Sequence, residues 1–450
     1  MSPSSFPVTY HPTGIGTTAA DIARLPGVNA VSPIGYISDI AALTEGAAVT
    51  ADAEPAGHIT EPTGTATPPI LTEFDRSLRR LLDAHPSEQT QFDRTDYGST
   101  GASPAPSGRT YIEWDYPQWT PLSPDVDRAR RANAEWVHRT GMVQSKKAME
   151  WYMSWDLAKM AGYIYPYARG ERLDVCTDTM AFYFLFDDQF DGALGRRPQQ
   201  AAAVCEDVID VVHNPTRTRK YPPPIITAFA DVWTRAIALM SPAWRARAAH
   251  DWEYYFSSYP HEAVDRIRGS APSMNRFLHV RRGTAGTHGL LNLCELGGDF
   301  EVNPIAFHSP ELSTQRQIAA DLLFFCNDVH SVDKEEPRGD VDNLVLVVEE
   351  ERRCTRLQAF HHITSIFDEH MKKFDQACLD AYDTLRWLPS ADFDNAVNYS
   401  KAAFTAICGH HQWEIESLRF VNANTVVPAA GNGYLEDLTK PLRRGLDRPN

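Results

Sequence analysis

The sequence predicts an all-α protein in which the helices form one bundle. Three observations carry that expectation. From Tyr111 onward, apolar residues recur at three- and four-residue intervals through one long segment after another, which is helical spacing. Three segments open on a shared signal, Ser123-Pro124-Asp125, Ser241-Pro242 and Ser309-Pro310-Glu311. A serine oxygen can accept from the orphan N–H groups of a first turn, and proline loses nothing there because its missing N–H has no partner in any case. Finally, alternating strand patterns joined by hairpin turns are absent. Val341–Val348 is the one short run that reads as a strand, and it is too little for a sheet.

Taken in order, the helical patterns fall near 124–140, 144–161, 171–192, 199–213, 224–240, 242–258, 273–298, 310–335, 353–387 and 390–424. They define one helical domain over 111–425. Residues 1–110 differ: they are rich in Ala, Thr, Pro, Gly and Ser, and Arg24 is the sole Arg or Lys before Arg76. Such composition cannot bury enough apolar surface to offset chain entropy, so a mostly disordered leader is expected. One island inside it, Ile70–His85, has helical spacing. The segment 426–450 carries turn residues and a basic stretch and is expected to be a loosely ordered tail.

Composition narrows the function. The chain has 450 residues, 43% of them hydrophobic, enough for a large core. Its formal net charge of −16 argues against a nucleic-acid partner, which calls for a basic face. It leaves open an anionic substrate bridged by metal. The 7 cysteines include no C-x-x-C pair, so they read as free thiols of a reducing compartment. No apolar run approaches the roughly 18 residues of a membrane span, and the N-terminus lacks the basic and apolar regions of a secretory signal. A cytoplasmic monomer or homodimer without stable membrane insertion is expected.

Three segments carry chemistry. In MAFYFLFDDQFDG, residues 180–192, an apolar helix pattern ends in Asp187, Asp188 and Asp191. Asp187 and Asp191 share a face at i and i+4, and like charges so close call for a cation. In FFCNDVHSVDKEEPRGD, residues 324–340, Asn327, Ser331 and Glu335 recur every four positions, so amide, hydroxyl and carboxylate oxygens converge. That donor set suits a hard cation such as Mg²⁺. In HVRRGTAGTHG, residues 279–289, two arginines precede glycines that interrupt a helix pattern, a place where an arginine can approach an anion. Together they describe a site for a diphosphate held by Mg²⁺, with the apolar part of the ligand among aromatics. The pairs His361-His362 and His410-His411 form no zinc pattern, and His330 faces away from Asn327 and Ser331; no role is assigned to them.

On these residues the sequence resembles the class I terpene synthases of the bacterial type, and among them the sesquiterpene cyclases. FDDQFD matches the aspartate-rich motif, and Asn327 through Glu335 match the N-D-x-x-S-x-x-K-E metal motif without departure. Arg282 stands where the family has its diphosphate-sensing arginine, with Ala285 and Gly286 in the linker and effector positions. WEIESLRF, Trp413 to Phe420, is similar to a W…R-Y signature in which Phe420 replaces the tyrosine.

The resemblance implies a class I terpenoid synthase bundle around a central apolar cavity. It implies Mg²⁺, three ions per site, on Asp187, Asp191, Asn327, Ser331 and Glu335. Asp188 and Asp328 would support those ligands, Asp188 by pairing with an arginine. Arg282, Lys334 and Arg419 would bind the diphosphate, with Gly286 as effector. Tyr183, Phe184, Phe324, Trp413 and Phe420 would line the hydrocarbon pocket, and the aromatic segment Tyr111–Trp119 would cap it. The implied reaction is ionisation and cyclisation of a prenyl diphosphate, farnesyl diphosphate in the first instance. A C10 or methylated C10 diphosphate, as in methylisoborneol-type synthases, is the alternative. Chain-elongating prenyltransferases and a non-catalytic helical interaction protein are the remaining rivals.

Overall fold

A computed structural model describes residues 121–420 and 437–441. They belong to the second of two compact units, 86–450. The leader 1–110 with its island Ile70–His85, the segment Tyr111–Trp119 and most of the tail lie outside the described residues.

Fourteen α-helices occur among the described residues, and no strand does. They are α1 Val126–Arg139, α2 Lys146–Ser154, α3 Leu157–Ile164, α4 Gly170–Asp187, α5 Pro198–His213, α6 Pro224–Leu239 and α7 Pro242–Arg268. After them come α8 Met274–Thr284, α9 Thr287–Gly298, α10 Pro304–Phe307, α11 Pro310–Glu335, α12 Leu344–Arg352, α13 Arg356–Thr384 and α14 Ser390–Glu416. From Val175 to Phe186 every α4 side chain but Phe184 is buried. A helix apolar all round belongs inside a bundle, and α4 is in contact with α1, α3, α6 and α9. Its rings Phe182 and Phe186 pack on Phe229 of α6 and on Trp252, Tyr255 and Phe256 of α7, with centroids 5.1–6.1 Å apart. α11 lies against α13 and α14 on the other side.

Several boundaries differ from the sequence expectation, each for a local reason. The Ser241 and Ser309 side chains cap α7 and α11 as expected. Ser123 does not cap: its hydroxyl donates to Ala168 O at 2.9 Å, and α1 starts after Asp125. The 144–161 segment breaks at Asp156, which takes a left-handed conformation (φ 51°) and caps α3 through its side chain. α7 runs ten residues beyond the expected end at 258, through Pro260 to Arg268. Proline costs a helix one hydrogen bond, but burial of Glu262, Ala263, Asp265 and Arg266 holds the extra turns in place.

Val341–Val348 is not a strand; from Leu344 it forms α12, capped by the Asn343 side chain on Val345 N at 2.9 Å. A short apolar run does not distinguish a buried strand from a buried helix. α14 stops at Glu416, and Ser417 is extended. In the described part of the tail, Leu438 is fully buried; its N–H donates to Gln189 Oε1 at 3.0 Å and its carbonyl accepts from Ile225 N at 3.3 Å.

Candidate active site

The ends of α4, α7, α8, α9, α11 and α14 enclose one cavity. Met160, Met180, Tyr183, Phe184, Leu290, Leu323, Phe324 and Phe420 form its apolar part, and Asp187, Asp191, Arg281, Asn327, Lys334, Glu335 and Arg419 its polar part. Asp187 and Asn327 each follow an apolar turn of their own helix, as the abrupt pattern changes in the sequence suggested.

At the aspartate end the three acids have separate fates. α4 ends at Asp187, and Asp188 is its C-cap, so Asp191 lies beyond the helix rather than on its face. Asp187 lines the cavity and accepts from the Tyr259 hydroxyl at 3.1 Å. Burial, with Asp191 and Asp188 close by, pushes its carboxyl up to about 6. Asp188 turns away from the cavity and is held by both Arg419 guanidinium nitrogens, at 3.0 and 2.6 Å, and by Lys334 at 3.3 Å. Burial opposes its ionisation, but Arg419 and Lys334 outweigh it and hold the carboxyl well below the usual range. Asp191 pairs with Arg338 and lies 3.5 Å from Lys334 Nζ.

On α11, Asn327 and Glu335 face the cavity, and Ser331 is buried behind the lining. One residue ties this part of α11 together. Asn343 Nδ2 donates to Glu335 Oε2 at 3.0 Å and to the Asp328 carbonyl at 2.9 Å, and stands 3.5 Å from Ser331 Oγ. Asp328 lies outside the lining and accepts from Leu344 N at 2.7 Å and from Arg281. The sequence reading passed over Asn343; the signal was an amide at the start of an apolar run, in the N-cap position.

Two further expectations are corrected. Arg282 is not part of the cavity lining: its guanidinium makes two 2.8 Å bonds to the buried Asp321 of α11. The neighbouring Arg281 occupies the site, donating to Asn327 Oδ1 at 2.8 Å and to Asp328 Oδ1 at 2.6 Å. One residue is about 100° of helical turn, so counting along the chain cannot choose between adjacent arginines. Trp413 is also off the wall. Its indole N–H donates to Trp155 O at 2.8 Å, and its ring backs Phe184 and Phe420.

Gly286, the expected effector, lines the cavity. It breaks α8 from α9 at φ 65°, and a Cβ there would come within 2.7 Å of the Tyr183 ring. Tyr183 is in turn stacked on Trp252 at 4.7 Å.

Residues 178–373 match the family described as "Terpene synthase family 2, C-terminal metal binding". Pentalenene synthase of Streptomyces avermitilis is 34% identical over 336 residues, covering 74% of this chain and 99% of that protein. The chain belongs to the bacterial class I terpene synthases. It is an enzyme, a lyase of prenyl diphosphate chemistry with a divalent metal. The synthase is also similar to a (−)-β-caryophyllene synthase of Saccharothrix espanaensis, "(2E,6E)-farnesyl diphosphate cyclizing", at 32% identity over 74% of this chain and 95% of that one. Among solved structures it resembles the linalool/nerolidol synthase of Streptomyces clavuligerus in complex with 2-fluorogeranyl diphosphate. There the identity is 31% and the TM-score 0.61, over 65% of this chain and 99% of that one.

The donor chemistry of the synthase's cavity fits a hard divalent cation. Asp187, Asp191, Asn327 and Glu335 offer it carboxylate and amide oxygens. Asp342, a lining residue the sequence reading did not single out, is buried with both carboxylate oxygens lacking a hydrogen-bond partner. Burial, then Glu262 and Asp340, push it up to about 9. Glu262 and Asp340 share Arg266, so Asp342 is the buried carboxyl that a cation would relieve. No described helix is long and apolar enough to cross a membrane.

Proposed function

We propose that the synthase ionises and cyclises farnesyl diphosphate to a sesquiterpene with release of diphosphate, using Mg²⁺, three ions per site. The observation that carries this reading is the convergence of Asp187, Asn327 and Glu335 on one cavity with an aromatic and aliphatic floor. The farnesyl substrate draws on the caryophyllene-forming relative and on the extent of the aromatic lining.

In this reading Asp187, Asn327, Ser331 and Glu335 hold the metal, with Asp191 able to join once Arg338 releases it. Bound Mg²⁺ supplies the positive charge that makes diphosphate a competent leaving group. The chain does the rest. Arg281, Lys334 and Arg419 donate hydrogen bonds to the departing diphosphate from fixed positions, so little reorganisation is needed as its charge develops. Asp188 orients Arg419 and Lys334. Phe184, Tyr183, Leu323, Phe324 and Phe420 exclude water from the allylic cation, and their ring faces stabilise positive charge. Gly286 lets the backbone at the α8–α9 break approach Tyr183 at the cavity wall.

Headspace mass spectrometry with C10, C15 and C20 diphosphates, with and without Mg²⁺, tests the proposal. The expected result is a volatile C15 product and free diphosphate from farnesyl diphosphate in the presence of Mg²⁺. A tenfold preference in kcat/KM for a C10 or methylated C10 diphosphate overturns the C15 assignment. A longer prenyl diphosphate as product overturns cyclisation.

A further inference from the structure

An allylic cation formed in this cavity must end by losing a proton or by capturing water. The lining contains four buried groups with a polar side-chain atom that has no hydrogen-bond partner among the described residues: Thr284, Thr287, Asp342 and His410. Two are hydroxyls, which are poor bases. Asp342 sits with Glu262 and Asp340 at the polar end, where the diphosphate would lie. His410, on α14, alone offers a nitrogen lone pair.

Its geometry assigns the lone pair to one atom. Nε2 lies 3.4 Å from Glu414 Oε1, one turn on along α14, and Nδ1 has no hydrogen-bond partner among the described residues. A carboxylate beside Nε2 favours the tautomer with its proton there, which leaves Nδ1 as an acceptor. Glu414 is fixed in turn by Asn327 Nδ2 at 2.8 Å. Trp413 packs against the imidazole with centroids 6.3 Å apart. The residue is 6% exposed, so the ring cannot turn out to solvent. Burial also keeps the imidazole neutral, pushing it down to about 3; an aliphatic C–H next to a cationic carbon is a far stronger acid than that.

We infer that His410 is the proton acceptor that terminates the cation in this synthase, an inference that rests on the cyclase reading above. The C–H bond beside the cationic carbon breaks, and its electron pair becomes the C=C bond of the product. The proton moves to Nδ1, and the Glu414 carboxylate holds the resulting imidazolium. That proton leaves with the released diphosphate, which restores the neutral ring.

The test is product partition with farnesyl diphosphate and Mg²⁺, normalised to the diphosphate released, so that changes in rate do not enter. In His410→Phe, which keeps a ring of similar size without a basic nitrogen, the share of the wild-type product should fall at least tenfold, in favour of alcohols and isomeric hydrocarbons. In His410→Ala, added imidazole should restore the wild-type product, and thiophene, a ring of the same size with no basic lone pair, should not. The wild-type product in wild-type proportion from His410→Phe overturns the inference. So does equal restoration of His410→Ala by both rings, because shape alone would then account for the effect. Absence of diphosphate release from the wild type would instead bring down the cyclase reading, and the inference with it.

Discussion

The acidic end of α4 and the oxygen-bearing face of α11 are prepared for a cation in different ways. At the end of α4, positive side chains already stand in: Lys334, Arg338 and Arg419 cover Asp188 and Asp191, while Asp187 accepts from the neutral Tyr259 hydroxyl. On α11 the support includes a neutral group: the Asn343 amide reaches Glu335 and the Asp328 carbonyl, while Arg281 spans Asn327 and Asp328. The first arrangement is an ion-pair network that must loosen when metal arrives. The second is a fixed frame, in which Asn327 Oδ1 would have to exchange its bond from Arg281 for a metal. Two stretches that look alike as motifs thus differ in how much rearrangement binding demands.

The largest effects should come from the fixed frame. Asn327→Ala and Glu335→Ala should each lower turnover by about two orders of magnitude or more, since each uncovers leaving-group charge worth several kcal/mol. Circular dichroism should show unchanged helix content. Near wild-type rates at saturating Mg²⁺ would remove α11 from the metal site.

Next come the adjacent arginines of α8. Arg281→Gln should reduce kcat/KM by about two orders of magnitude, because a buried, charge-assisted donor is lost. Arg282→Gln, which breaks only the pair with Asp321, should stay within about threefold. The reverse order would restore Arg282 to the role its sequence position suggested.

The aspartate pair should separate in thermal melts of the metal-free protein. Asp188 has its carboxyl lowered in the fold, so its contribution to stability is present above 3.8 and is lost as pH falls through the folded value. Asp187 is the opposite case. Raised from 3.8 to about 6, it binds the extra proton in the folded state, and the stability it contributes is lost as pH rises across that interval. At pH 7, Asp188→Asn should therefore lower Tm by several degrees, whereas Asp187→Asn should leave Tm unchanged or raise it. Equal losses would mean that Asp187 is neutralised by its surroundings.

The smallest effect should be at the N-terminus. Every proposed ligand lies beyond residue 180. A chain starting at Ser107 should keep its rate within about threefold and its product pattern, while one starting at Asp125 should lose activity or leak hydroxylated products. Loss of turnover in a folded chain lacking only residues 1–106 would place the leader in the catalytic machinery.

Much of this site was legible in the sequence because motif spacing and helical geometry are the same information: Asn327, Glu335 and Asp187 face one cavity as their intervals suggested. What escaped was set by tertiary context. The choice of Arg281 over Arg282 depends on the rotation of α8 against α11. Val341–Val348 carries an apolar pattern compatible with either element, and Asn343 as cap decided for helix. Glu262 lies past Pro260, where sequence alone ends the helix, yet packing carries α7 on to place it at the cavity. Trp413 has the aromatic character of a cavity wall and instead backs one.

In the proposed site, one aspartate of α4 and the oxygen face of α11 hold the cation while the neighbouring Asp188 does not. Anomalous diffraction from crystals grown with Mn²⁺ and inorganic diphosphate tests this directly. The expected map has metal against the Asp187 carboxylate and against Asn327, Ser331 and Glu335, with diphosphate contacted by Arg281 and Asp188 still paired to Arg419. Metal on Asp188, or an α11 face without metal, would contradict it.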